Sequence, residues 1–139
     1  MPGTSAFWDD LASDLRDPEF LREYVVESVR IATIDQVINA LDEAREAAGL
    51  SKASLARAIN ADPGTMRRLF SSGASNPTLG TLAEVAAALG LKVTLEPLAD
   101  DERSQLTGPL LEGRAADEHG LAEHLTAMRN GQHLSAACA

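Results

Sequence analysis

Apolar residues recur along much of the chain at intervals of three or four, and that period predicts a protein built from helices. Trp8, Leu11 and Leu15 predict a short amphipathic helix over 6–15, which Arg16-Asp17-Pro18 ends. Asp17 can cap a second helix opened by Pro18, with Glu19 and Glu23 near its positive end and Phe20, Tyr24, Val25 and Ile31 as its stripe. Thr33 followed by Gln36 has the spacing of a capping box, so the helix can restart there. Ile34, Val37, Ile38, Leu41 and Ala48 then share one face until Gly49 closes it.

Two short helices follow. Ser51 can cap one carrying Leu55, Ala56 and Ile59, and Asp62-Pro63 caps and opens another carrying Met66, Leu69 and Phe70. Only Asn60-Ala61 joins them, so their axes must cross steeply, which is helix-turn-helix geometry. Ser71 to Ser75 reads as a loop, and Asn76-Pro77-Thr78 starts a helix whose inner face is Leu79, Leu82, Val85, Ala86 and Leu89, ended by Gly90. Leu91 to Glu96 alternates apolar and polar with period two, predicting one half-buried strand closed by Pro97. A strand needs an edge to pair with, and no second run of this kind occurs. Its expected partner is therefore a second subunit, with Leu91, Val93 and Leu95 at the dimer interface. Beyond Leu98 the chain is acidic, and Gly108-Pro109, Gly113, Gly120 and Gly131 interrupt the apolar pattern. This predicts a loosely ordered tail with one weak helix over 115–129 through Leu121, Leu125 and Met128.

Composition bears on function by exclusion. A chain of 139 residues, 45% hydrophobic, has room for one modest core, and a second independent domain is not expected. No stretch approaches the length of apolar chain that spans a bilayer, and the N-terminus has no signal pattern, so a cytoplasmic location is expected. The lone Cys138 reads as an idle thiol. His119, His124 and His133 lie beyond residue 98, and the spacing of the first two puts them on different helical faces, against a shared metal. Asp9-Asp10 and Asp100-Asp101 sit among polar residues as solvated charge, and neither a P-loop, a nucleophile elbow nor a dinucleotide fingerprint occurs. An enzyme, a cofactor and a metal are not expected.

The net charge of -9 argues against a nucleic-acid partner until it is resolved along the chain. Residues 1–48 hold 11 acids and 4 bases, 49–78 hold 1 and 4, and 79–139 hold 9 and 4, or -7, +3 and -5. A basic block between acidic flanks suits a chain whose parts meet different partners.

The run Gly49-Leu50-Ser51-Lys52-Ala53-Ser54-Leu55-Ala56-Arg57-Ala58-Ile59-Asn60, with Ala61 to Leu69 and Asn76-Pro77-Thr78-Leu79, resembles the DNA-binding domain of the Cro and lambda-repressor (XRE) helix-turn-helix family. The likeness runs from about Ile34 to Leu91. It implies double-stranded operator DNA as partner, with residues 62–72 in the major groove. By the same resemblance Arg68 and Arg67 contact guanine or phosphate, Thr65 a phosphate or thymine methyl, and Lys52 with Ser51 the backbone, while Ser71 shares the outer face. Pro63 and Gly64 depart from the family where base-reading Gln or Arg often occur, and Phe70 stands where Glu is common. Direct readout then rests on the arginines, with further specificity from DNA shape.

Asp17-Pro18-Glu19-Phe20 through Tyr24, ahead of Ile34-Asp35-Gln36 and a domain ending Ala88-Leu89-Gly90-Leu91, is similar to the HigA family of antitoxins. That resemblance implies an autorepressing homodimer and a RelE-like ribonuclease toxin as partner. Residues 6–32 are acidic and hold Phe7, Trp8, Phe20 and Tyr24, anchors suited to a basic ribonuclease. The expected fold is all-α: a lambda-repressor-like helix-turn-helix bundle with an N-terminal helical arm (1–32), the XRE domain and its C-terminal β-strand (33–98), and an acidic, flexible tail (99–139). Two alternatives stay open, a stand-alone XRE regulator and a helical protein-interaction adaptor without a DNA target.

Overall fold

The structure is a computed structural model that describes residues 2–71 and 76–131; His133, Cys138 and most of the expected loop at Ser71 to Ser75 lie outside those residues. Among the described residues the chain forms α1 (Pro2–Asp14), α2 (Pro18–Ala47), α3 (Lys52–Ala58), α4 (Pro63–Leu69), α5 (Leu79–Ala88), α6 (Asp100–Glu112) and α7 (Glu118–Arg129), and no sheet. No described helix is long and apolar enough to cross a membrane. The chain divides into two compact units, residues 34–95 and residues 1–33 with 96–139. Helix α2 contributes its first half to one and its last turns to the other.

The unit of residues 34–95 is built as the apolar spacing predicts. Ile38 and Leu41 of α2, Leu55 and Ala56 of α3, Met66 and Leu69 of α4, and Val85 and Ala86 of α5 form one core. The Ser51 hydroxyl accepts from the Ser54 N–H at 3.0 Å and the Thr78 hydroxyl from the Thr81 N–H at 3.1 Å, whereas Asp62, expected to cap α4, stands at its N-cap position without a side-chain hydrogen bond to the helix. Leu79 differs from expectation. It opens α5 and is 68% exposed, because a residue in the first turn projects beyond the face that Leu82, Val85 and Ala86 turn inward.

In the other unit the N-terminal helices and the segment beyond residue 96 share a core. Leu11 of α1, Leu15 in the turn that follows it, Leu21 and Val25 of α2, Leu106 of α6, and Leu121, Leu125 and Met128 of α7 are buried together. Polar groups tie the same elements. Arg22 donates to the Leu110 and Leu111 carbonyls at 3.0 and 3.2 Å, closing the end of α6. Arg129 lies 4.2 Å over the Tyr24 ring and donates to the buried Ser28 hydroxyl at 2.8 Å. His124 meets the buried Glu102 at 2.7 Å and His119 meets Asp9 at 3.0 Å, so the two histidines serve different carboxylates.

Four expectations are corrected. In place of the one modest core expected from the length there are two, one in each unit, because α2 is long enough to carry a separate apolar stripe into each. The region beyond Leu98, read as a loosely ordered tail, contains α6 and α7. Helix α6 forms despite Gly108-Pro109 because Asp100, Asp101 and Glu102 suit its first turn and burial of Leu106 and Pro109 outweighs the lost N–H. The strand expected over Leu91 to Glu96 is not formed. Residues 91–97 have no regular structure, with Leu91, Val93 and Leu95 at 46%, 48% and 96% exposure, since one chain offers the segment no edge to pair with. Lastly, α2 runs unbroken through Thr33, where neither Pro nor Gly interrupts the backbone ladder.

Candidate nucleic-acid interface

Charge is partitioned between the units. Residues 34–95 hold six bases and six acids and are neutral, so the remaining residues carry the entire -9. Any basic surface on the neutral unit must come from placement. Four of its six bases, Lys52, Arg57, Arg67 and Arg68, lie on α3 and α4, whereas Asp35, Asp42, Glu43 and Glu46 lie on α2.

The junction of α3 and α4 is set by backbone geometry. Asn60 adopts φ of +56°, a left-handed conformation that Asn tolerates better than most residues. The Ala61 N–H then bonds the Ala56 carbonyl at 2.8 Å and the Asn60 N–H the Arg57 carbonyl at 3.3 Å, which is a Schellman ending. Pro63 begins the next helix immediately, at a position where its missing N–H costs nothing. Buried Ala56 is small where the two helices meet, and buried Met66 and Leu69 hold α4 in the core. Arg67 and Arg68 are consequently exposed on the opposite side.

The predicted residues fall into two groups. Thr65, Arg67 and Arg68 share the outer part of α4, with Arg68 Nη2 3.5 Å from the Thr65 hydroxyl. Ser71 follows them, but its hydroxyl donates to the Arg67 carbonyl at 2.7 Å and so finishes the helix. Ser51 and Lys52 sit at the start of α3. The Ser51 oxygen is engaged as the cap and with the Ser54 hydroxyl at 2.9 Å, whereas Lys52 is half-buried against the Phe70 ring. Phe7, Trp8, Phe20 and Tyr24 belong to the other unit, where Trp8, Phe20 and Tyr24 pack against the core and Phe7 is 50% exposed.

Sequence reasoning passed over two features. A cavity of about 270 Å³ lies beside Arg68 and Thr65 and is lined also by Asn76, Thr78 and Thr81. The string Asn76-Pro77-Thr78 reads only as a helix start, although its amide and hydroxyl were visible as polar groups. Phe70 reads as core at helical spacing, yet its ring also faces Arg45 and Lys52 at 5.7 and 5.9 Å. The available signal was that Phe70 is the one aromatic residue outside 1–32. The surface can present guanidinium donors and hydroxyls to an anionic partner, which is recognition chemistry rather than acid–base catalysis.

Comparison with known proteins agrees with this geometry over part of the chain. Residues 41–95 match the helix-turn-helix family model, a DNA-binding domain family, and the match takes in α3, α4 and α5. No curated protein and no solved structure matches the chain.

Proposed function

We propose that the chain is a sequence-specific DNA-binding repressor that places α4 in the major groove. The observation carrying this reading is the division of α4 into a buried face, Met66 and Leu69, and an exposed face bearing Arg67 and Arg68. Arginine presents its donors as a planar fork that matches the guanine edge, so Arg68 is the base reader and Arg67 a second base or phosphate contact. Thr65 adds a phosphate or methyl contact, and Lys52 a phosphate contact at the start of α3. Arg68→Ala should weaken operator binding by about 1–3 kcal/mol, while Lys52→Ala should weaken binding to all sequences and lower the salt slope by about one. Gel shifts with operator and unrelated DNA at two salt concentrations measure both. Unchanged operator affinity after joint replacement of Arg67 and Arg68 excludes α4 as the reading helix.

The repressor acts as a homodimer on half-sites about one helical turn apart. The exposed alternation of Leu91, Val93 and Leu95 supports pairing of this segment with a second copy, which would cover its apolar face and its backbone groups. Val93→Pro should remove ladder hydrogen bonds and yield monomer in sedimentation; an unchanged dimer moves the contact elsewhere.

The acidic unit receives a basic protein partner, and the resemblance to the HigA family points to a RelE-like ribonuclease toxin, which makes the repressor an antitoxin. Concentration of the whole negative charge in this unit supports a division of labour between DNA and protein partners. Phe7 offers the most exposed of its aromatic surfaces, with Trp8 in edge contact at 5.1 Å.

A further inference from the structure

We propose that Phe70 is a positioning residue for DNA binding: its ring face holds the Lys52 ammonium where a phosphate is to be met. This rests on reading Lys52 as a phosphate contact. Phe70 caps the C-terminal end of α4, Lys52 opens α3 and Arg45 lies in the last turn of α2, so one ring joins three elements of the unit. Lys52 Nζ lies 5.9 Å and the Arg45 guanidinium 5.7 Å from the ring centroid, both within cation–π reach.

The two cations are not equivalent. Arg45 is largely buried, pairs with the Asp42 carboxylate at 2.8 Å and donates to the Leu50 carbonyl at 2.8 Å, so its charge and donors are already used. Among the described residues Lys52 makes no hydrogen bond and no ion pair. The Phe70 ring is the fixed partner of its ammonium. A lysine stem has four rotatable bonds, and holding it before the ligand arrives lowers the entropy lost on binding. A carboxylate at this position would hold the ammonium more firmly but would also compensate the charge that a phosphate must meet. A ring orients the ammonium and leaves its charge available. Packing of Phe70 against the core of the unit keeps the ring in place.

The test uses the full chain and a labelled duplex of arbitrary sequence, titrated at graded KCl with wild type, Phe70→Leu, Phe70→Tyr, Lys52→Ala and the double variant Phe70→Leu with Lys52→Ala. Phe70→Leu should weaken binding about two- to five-fold when Lys52 is present, the worth of one exposed cation–π contact, and have no effect in the Lys52→Ala background. Phe70→Tyr should bind as wild type. Equal losses from Phe70→Leu in both backgrounds would make Phe70 an ordinary core residue and overturn the assignment. Wild-type affinity and salt slope in Lys52→Ala would instead remove the phosphate-contact reading on which it rests, leaving the roles of Arg67 and Arg68 standing. A readout that needs no variant is the free wild-type protein, in which the Lys52 ε-methylene protons should be shifted upfield by the ring; random-coil positions would also overturn the assignment.

Discussion

Removal of residues 1–32 should unfold α6 and α7 while residues 34–95 keep their fold and their DNA binding. Leu11, Leu15, Leu21 and Val25 are all lost in that truncation, and each is at most 7% exposed in a core shared with Leu106, Leu121, Leu125 and Met128. At about 1.5–3 kcal/mol for each buried side chain, the loss is on the order of the entire stability of a small unit. The Arg22 donors at the end of α6, the Tyr24 face under Arg129 and the Asp9 carboxylate at His119 go with them. Amide exchange over 100–129 should become fast, and exchange in α3, α4 and α5 should stay slow. Protection persisting in α6 and α7 would mean that these helices have a core of their own. If the acidic unit binds the toxin, the truncated chain also fails to co-purify with it or to restore growth on co-expression. Full neutralisation by that chain would move the toxin contact out of residues 1–32.

Met66→Ala should destabilise residues 34–95 by about 2–5 kcal/mol, whereas Arg67→Ala and Arg68→Ala should each stay within about 0.5 kcal/mol of wild type. The three positions are consecutive on one helix and differ in what surrounds them. Met66 is fully buried among Leu55, Ala56, Leu69 and Val85, so truncation leaves a void at the crossing of α3 and α4. The arginine side chains face outward and their removal leaves the core intact. Denaturant dependence of amide exchange in α3 and α4 measures the difference. A stable Met66→Ala variant would show that α4 is not held by this contact, and exposure of the arginines would then cease to follow from the packing.

The local features of the helix-turn-helix were legible because their causes lie within a few residues of one another. Ser51 and Thr78 reach N–H groups three positions ahead, Asn60-Ala61 is too short a link for antiparallel helices, and Pro63 carries the φ that a first helical turn needs. The spacing of Leu55, Met66, Leu69 and Val85 likewise marks one buried stripe per helix. The same local logic misjudged α6, where Gly108-Pro109 argues against a helix and burial beside α2 and α7 decides for one. It also drew a strand at Leu91 to Glu96 from alternation alone, although alternation describes a face and cannot supply the second edge that makes a strand.

What the sequence by itself determined is the helical class, the caps at Ser51 and Thr78 with the short link between α3 and α4, and the basic character of α3 and α4, all of them consequences of neighbours in the chain. Only the tertiary structure decided that residues 1–33 and 96–139 form one unit, for its ties join Arg22 to Leu110, Asp9 to His119 and Ser28 to Arg129 across some ninety to one hundred and ten positions. It alone brought the Phe70 ring to Lys52, eighteen positions earlier. A period of three or four reports which face of a helix is apolar and leaves open which other face will cover it. That choice is made by shape and chain connectivity when the helices close on one another.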